Sequence, residues 1–328
     1  MPDLSPRLSI LDLVRVTEGG SVRQALDNAR DLAAHAEAWG YQRFWVAEHH
    51  NMESIASAAT SLVISHVAAG TRHIRVGAGG IMLPNHSPLV IAEQFGTLAH
   101  LYPDRIDLGL GRAPGTDQNT LHALRRTPAA SDRFPEDVQA LQALLGPTQP
   151  GQAIQAVPGA GTQVPLWILG SSTFGAALAA EFGLPYAFAS HFAPQQLMDA
   201  LAVYRSRFKP SAQLSAPYAI VGVNVIAAES DREARRLATT QQMSFTHLLR
   251  GTRLLSQPPI DDIDQYWSPR EKMQISQMLA RSIIGTPEAV HAGIDALAAE
   301  TEADELMIVS DIYDHSARLR SFELTASR

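Results

Sequence analysis

The residues with the clearest chemical potential stand in one short stretch, Phe44-Trp45-Val46-Ala47-Glu48-His49-His50. An apolar run ends there in a carboxylate and two imidazoles. Packing needs no such ending, and titratable groups crowded at a strand end point to chemistry. A histidine in that place can titrate near neutral pH, which suits general acid–base work. Glu48 would orient it or accept a hydrogen bond from a ligand. The plainer alternative is a capping and hydrogen-bonding cluster beneath a loop. A metal site is not expected. Adjacent residues of an extended chain point to opposite faces, so His49 and His50 reach one ion only if the chain turns. The helical His-Glu-x-x-His arrangement is absent.

A second group is Gly170-Ser171-Ser172-Thr173, where a strand ends and an alanine-rich helix begins. Free N–H groups, the helix dipole and the hydroxyls would together hold an anion; an ordinary N-cap is the alternative. Arg112 follows the neighbouring strand, and a fixed positive charge beside a helix N-terminus suits a phosphate. Gly77-Ala78-Gly79-Gly80 marks either close approach of backbone to a flat ligand or a bulge. Gly109-Leu110-Gly111-Arg112-Ala113-Pro114-Gly115 has the wrong spacing for a dinucleotide fingerprint. His86 and His191 lie near strand ends and could face a pocket. His35, His66, His100 and His291 lie in helical patterns. No Gly-x-Ser-x-Gly elbow supports a hydrolase.

The elements that must position these residues alternate along the chain. Strands are expected at about 8–14, 43–47, 73–83, 105–110, 164–169, 186–189, 218–227 and 305–309, with helices between them. Residues 116–163 read as an insertion after the fourth strand, and 251–270 as a long mobile loop of the kind that forms lids. Eight strands alternating with helices, with no break between halves, predict a single (β/α)8 TIM barrel over residues 1–328. Such a barrel places its active site at the C-terminal ends of the strands, and the unusual residues all stand at such ends.

Composition narrows the function. The chain has 328 residues, 45% hydrophobic and 18% charged, with a formal charge of -7. That modest charge argues against nucleic acid or an anionic membrane as a partner. There are no cysteines, which excludes disulfides, thiolate metal sites and a cysteine nucleophile. No signal peptide or membrane-length run is visible, so a soluble cytoplasmic protein is expected.

The chain resembles the luciferase-like monooxygenases, the flavin-dependent group that includes bacterial luciferase, and more closely the branch known as luciferase family oxidoreductase, group 1. The resemblance spans nearly the whole chain. It rests on Ser9-Ile10-Leu11-Asp12-Leu13, Trp45-Val46-Ala47-Glu48-His49-His50-Asn51-Met52, the stretch 75–86, Ala92-Glu93-Gln94-Phe95-Gly96-Thr97-Leu98, the stretch 105–117, and Leu169-Gly170-Ser171-Ser172. It implies a barrel, usually dimeric, that binds FMN at the strand ends. Reduced FMN, often supplied by a separate flavin reductase, would react with O2 to give a C4a-peroxyflavin that oxygenates a small organic substrate. His49 takes the position of the catalytic base, with Glu48 beside it. Gly79-Gly80 takes the position of a non-proline cis peptide near the isoalloxazine. Arg112, Gly170, Ser171 and Ser172 match the phosphate-binding region. Gly111 stands where luciferase has a reactive cysteine, which argues against a light emitter. The Glu-His-His ending favours FMN over a deazaflavin. Two other readings use the same features: a non-catalytic flavin-binding protein and a deazaflavin-dependent hydride-transfer enzyme.

Overall fold

A computed structural model describes residues 6–113, 117–252 and 254–327. Pro114, Gly115 and Thr116, where the insertion was expected to begin, and Arg253 in the segment 251–270 lie outside the described residues. The elements run β1 (Arg7–Asp12), α1 (Val22–Ala38), β2 (Arg43–Val46), α2 (Thr60–Ala68), β3 (Arg75–Met82), α3 (Pro88–Leu101), β4 (Ile106–Gly111), α4 (Gln118–Ala123) and α5 (Phe134–Leu145). They continue β5 (Leu166–Gly170), α6 (Thr173–Phe182), β6 (Tyr186–Phe188), α7 (Leu197–Arg207), β7 (Ala219–Ala227), α8 (Asp231–Arg250), α9 (Pro269–Met278), β8 (Ile283–Gly285), α10 (Pro287–Thr301), β9 (Glu305–Val309) and α11 (His315–Ala326). No described helix is long and apolar enough to cross a membrane.

Parallel pairing runs β1 to β7 in order, then β9, which closes onto β1. The result is the expected (β/α)8 TIM barrel. β8 is a ninth strand outside the closed ring; it pairs only with the last three residues of β7, Val225 to Ala227.

Alternation along each strand divides the core in two. Ile10, Phe44, Val46, Leu108, Ile168, Val221 and Ile308 pack outward against the helices. Leu11, Trp45, Trp167, Ala187, Ile220 and Met307 pack together inside the ring. A period of two on a strand produces this division. The barrel floor is ionic. Arg43 bridges Asp107 and Glu305, at 2.7 Å to each. Trp45 Nε1 donates to Asp107 at 3.1 Å, and the Tyr218 hydroxyl donates to Glu305 at 2.8 Å. Ser9 also donates to Glu305. Buried charges of this kind are tolerable because each is paired and hydrogen-bonded. Trp45 and Trp167 stack edge to face above them, with centroids 5.2 Å apart. The floor is therefore closed, and only the C-terminal end is left for a ligand.

Two segments carry structure beyond the one helix, near residues 135–145, that the sequence leads one to expect in the insertion. The stretch after β4 holds α4, a 3-10 turn at Pro128–Arg133, and α5. Within 251–270, a 3-10 turn forms at Ile263–Gln265 and α9 begins at Pro269 with a full capping box on Ser268 and Glu271. Ser256 N–H donates to the Val16 carbonyl at 3.0 Å, and Glu18 N–H to the Ser256 carbonyl at 2.8 Å. This segment thus crosses the residues that follow β1.

Candidate active site

The Glu48-His49-His50 stretch follows β2 directly, beside Gly79-Gly80 of β3: Glu48 N–H donates to the Gly80 carbonyl at 3.2 Å. The Gly79–Gly80 peptide is cis. A Cβ on Gly79 would stand 2.7 Å from Leu11 Cδ1 and 3.0 Å from Trp45, and one on Gly109 only 2.2 Å from the Ala78 carbonyl oxygen. Glycine is therefore a packing requirement at both positions.

Glu48 is fully buried and heavily engaged. His50 Nε2 and His86 Nε2 both donate to Oε1, at 2.7 and 2.8 Å, and Met82 N–H donates to Oε2 at 3.0 Å. Burial alone would raise its pKa. The His50 and His86 hydrogen bonds, the His86 charge and the Met82 N–H outweigh burial and hold it at about 2. The Glu48 bond raises His50 in turn. Glu48 is thus an anionic hub for His50 and His86, and its side chain makes no hydrogen bond to His49. Glu48, His50 and His86 are also the one set of ligand-type groups, among the described residues, close enough to share a cation. Here their atoms are engaged with one another.

His49 has a different setting. Its Nδ1 lies 2.8 Å from the Glu48 carbonyl oxygen. A carbonyl only accepts, so Nδ1 carries the proton and neutral Nε2 keeps a lone pair. Burial, followed by the Arg15 charge, lowers its pKa to about 4 against the opposing pull of Glu48. His49 is therefore neutral at pH 7.

The second group lies across two neighbouring strands, since Gly111 of β4 pairs with Leu169 of β5. Arg112 Nε donates to the Ser131 carbonyl at 3.3 Å, and the guanidinium sits 4.2 Å above the Phe174 ring in the first turn of α6. Ser172 is the N-cap of α6, but its hydroxyl caps no first-turn N–H. Tyr186 fixes this turn by donating to the Ser172 carbonyl at 3.0 Å. Orphan N–H groups at a helix start, a hydroxyl with no capping bond and a stacked guanidinium suit a phosphate.

His191 is half-buried, but its Nδ1 is shielded from solvent and has no hydrogen-bond partner among the described residues; burial lowers its pKa to about 4. Gly222 makes room for it, since a Cβ there would lie 2.6 Å from that nitrogen. Sequence reasoning missed two charged residues at the same end of the barrel, Arg15 and Asp311, paired at 3.1 Å. The usable signal was a charge just beyond each strand end. Leu11 and Leu13 pack inside the ring, the chain then turns through a left-handed Val14 (φ 51°) to Arg15, and Met307 and Val309 lead to Asp311.

The family model for the luciferase-like monooxygenases matches residues 7–305. A "Luciferase-like monooxygenase" of Escherichia coli K12 is 53% identical over 325 residues, covering 99% of this chain and 97% of that protein. An N-acetyl-S-alkylcysteine monooxygenase of Bacillus subtilis is 30% identical over 326 residues, covering 97% and 96%. The solved structure of apo-MsnO8 is 36% identical, with a TM-score of 0.86 over 98% of this chain and 97% of that one. At 16% and 15% identity the likeness is one of fold alone. Those two structures are the oxygenating constituent of 3,6-diketocamphane monooxygenase with FMN, TM-score 0.72, and an F420-dependent secondary alcohol dehydrogenase, TM-score 0.71. This chain belongs to the luciferase-like monooxygenase family.

Proposed function

We propose that the protein is an FMN-dependent monooxygenase that uses reduced FMN and O2 to oxygenate a small organic substrate. The observation that carries this reading is the placing of a neutral imidazole, His49, beside the close-packed glycines of β3 at one side of the barrel end. The phosphate-type group of Arg112 and α6 stands at neighbouring strand ends. FMN fits this donor set: Arg112, Gly170, Ser171 and Ser172 would hold the phosphate, and the Gly79-Gly80 backbone would lie near the ring. When bound, reduced FMN would supply two electrons, so that one atom of O2 enters the substrate and the other leaves as water.

His49 acts as the base in this reading. The Glu48 carbonyl fixes its tautomer, leaving Nε2 to accept a proton. Burial and Arg15 make the resulting imidazolium a strong acid, so the proton is handed on readily. Glu48 serves by position, holding His50 and His86 around it. A separate flavin reductase and a homodimer are part of the proposal, carried by the resemblance.

Equilibrium titration with FMN, riboflavin and a deazaflavin tests the cofactor assignment. FMN should bind tightest; riboflavin, which lacks the phosphate altogether, should bind the wild type more weakly than FMN binds Arg112→Ala, which loses only one of the phosphate contacts. A preference for the deazaflavin would contradict the reading. Oxygen uptake with a flavin reductase and a candidate substrate then separates an enzyme from a binding protein.

A further inference from the structure

Arg15 and Asp311 stand where the inward-facing rows of β1 and β9 leave the barrel. Ser9, Leu11 and Leu13 face inward ahead of Arg15, with the chain turning at a left-handed Val14 (φ 51°); Glu305, Met307 and Val309 precede Asp311. The two strands are hydrogen-bonded neighbours, so their ends meet. Arg15 Nη2 lies 3.1 Å from Asp311 Oδ2, yet the pair is poorly aligned. Among the described residues, neither Asp311 oxygen has a hydrogen-bond partner, and Arg15 Nε has none. Asp311 is only 4% exposed. The Ser256 hydroxyl, on the segment that bonds to Val16 and Glu18, is likewise buried and without a partner. Buried polar groups are nearly always satisfied, so several orphans at one place in a candidate active site ask for a ligand. The Arg15 charge also acts on the proposed base, His49.

We propose that Arg15 and Asp311 bind the polar head of the substrate, and that this head carries a carboxylate beside an ammonium or an amide N–H, as in an α-amino acid or its N-acyl derivative. The inference rests on the monooxygenase reading and names its substrate class. The charges select such a head. A bare carboxylate on Arg15 would be repelled by Asp311 with nothing to offset it, and a bare ammonium on Asp311 would be repelled by Arg15; a neighbouring ammonium offsets the first repulsion by charge, and an amide N–H offsets it by a hydrogen bond to Asp311. A head with both groups satisfies Arg15 Nε and the free Asp311 oxygens together, and the Ser256 hydroxyl can donate to the carboxylate. Leu13 and Val309, next down the two rows, are apolar and would meet the substrate's tail.

The test is calorimetric titration of the FMN-loaded protein with four probes of matched tail: norleucine, N-acetylnorleucine, hexanoate and pentylamine. Norleucine or its N-acetyl derivative should bind roughly tenfold or more tightly than hexanoate and pentylamine, as expected when charged hydrogen bonds are gained at both partners. The better of the two identifies the ammonium or the amide as the donor. Arg15→Met should abolish that advantage. Asp311→Asn should weaken norleucine more than hexanoate, and Ser256→Ala should weaken each carboxylate probe severalfold. Equal binding of all four probes, or no binding by the two dipolar ones, overturns the proposal. Unchanged discrimination in Arg15→Met also overturns it. If a variant fails to fold, the wild-type ranking decides. If FMN does not bind, the cofactor reading fails, and the same ranking in flavin-free protein still decides the head-group assignment.

Discussion

Glu48→Gln tests the hub at the centre of the site. The folded protein holds Glu48 at about 2 against an ordinary value of 4.5, a gap equivalent to roughly 3 kcal/mol at neutral pH. The amide cannot replace it. Three N–H donors, from His50, His86 and Asn85, meet Oε1 and one, from Met82, meets Oε2, so the new NH2 group opposes a donor in either orientation. A loss of about 3 kcal/mol should lower Tm by roughly 5 °C in a chain this long. The pH dependence gives a second check. A depressed carboxylate stabilises fully above its unfolded value and loses that contribution as pH falls through its folded value, here from 4.5 toward about 2. The raised imidazole of His50 stabilises below its ordinary value and loses its contribution as pH rises through its folded value. The gap between wild type and variant should therefore be widest at about pH 5 to 6.5 and narrow on both sides. Denaturant melts from acidic to mildly alkaline pH measure it. A variant as stable as wild type, or a gap that is flat with pH, would refute the hub.

Three other predictions concern separate parts of the molecule. Arg112→Ala should weaken FMN roughly tenfold or more, the usual worth of a hydrogen bond to a charged group, while riboflavin affinity stays unchanged in fluorescence titrations. His49→Ala should bind FMN normally and lose turnover. Because His49 titrates at about 4, the wild-type rate should show no fall from pH 7 to about pH 5 that is traceable to this imidazole. Its low pKa makes it a source of stability above its ordinary 6.5, lost as pH falls toward the folded value. Gly109→Ala should cost about 3 kcal/mol or more in a denaturant melt, because its Cβ would lie 2.2 Å from the Ala78 carbonyl oxygen.

The barrel was legible because each of its strands is an apolar run closed by polar or glycine residues, and each is followed by helical periodicity. β8 was not. Ile283-Ile284-Gly285 is too short to show a period, and it joins the sheet only because β7 overruns the ring. Glu48, His49, Gly79, Arg112 and Ser172 could be singled out because unusual residue types stand at strand ends. Their partners could not. His86 reaches Glu48 across 38 positions and Arg43 reaches Glu305 across 262, and such pairings follow from closure of the ring rather than from local pattern. Arg15 and Asp311 escaped for a simpler reason. A strand is read as ending at its last apolar residue, whereas Arg15 comes back toward the barrel end only after a turn at left-handed Val14, which no period shows. The same rule suggested a common role for Glu48 and His49, whereas the fold gives the Glu48 side chain to His50 and His86.

The central claim is that the barrel end holds reduced FMN and controls its reaction with O2. Stopped-flow mixing of the protein and FMNH2 with oxygenated buffer tests it most directly, with the return of oxidised-flavin absorbance as the readout. The account predicts reoxidation at least roughly tenfold slower than that of free FMNH2, a slower course that Arg112→Ala shows only at correspondingly higher protein concentration and that His49→Ala alters while still binding the flavin. Reoxidation at the free-flavin rate, with wild type and both variants alike, would contradict it.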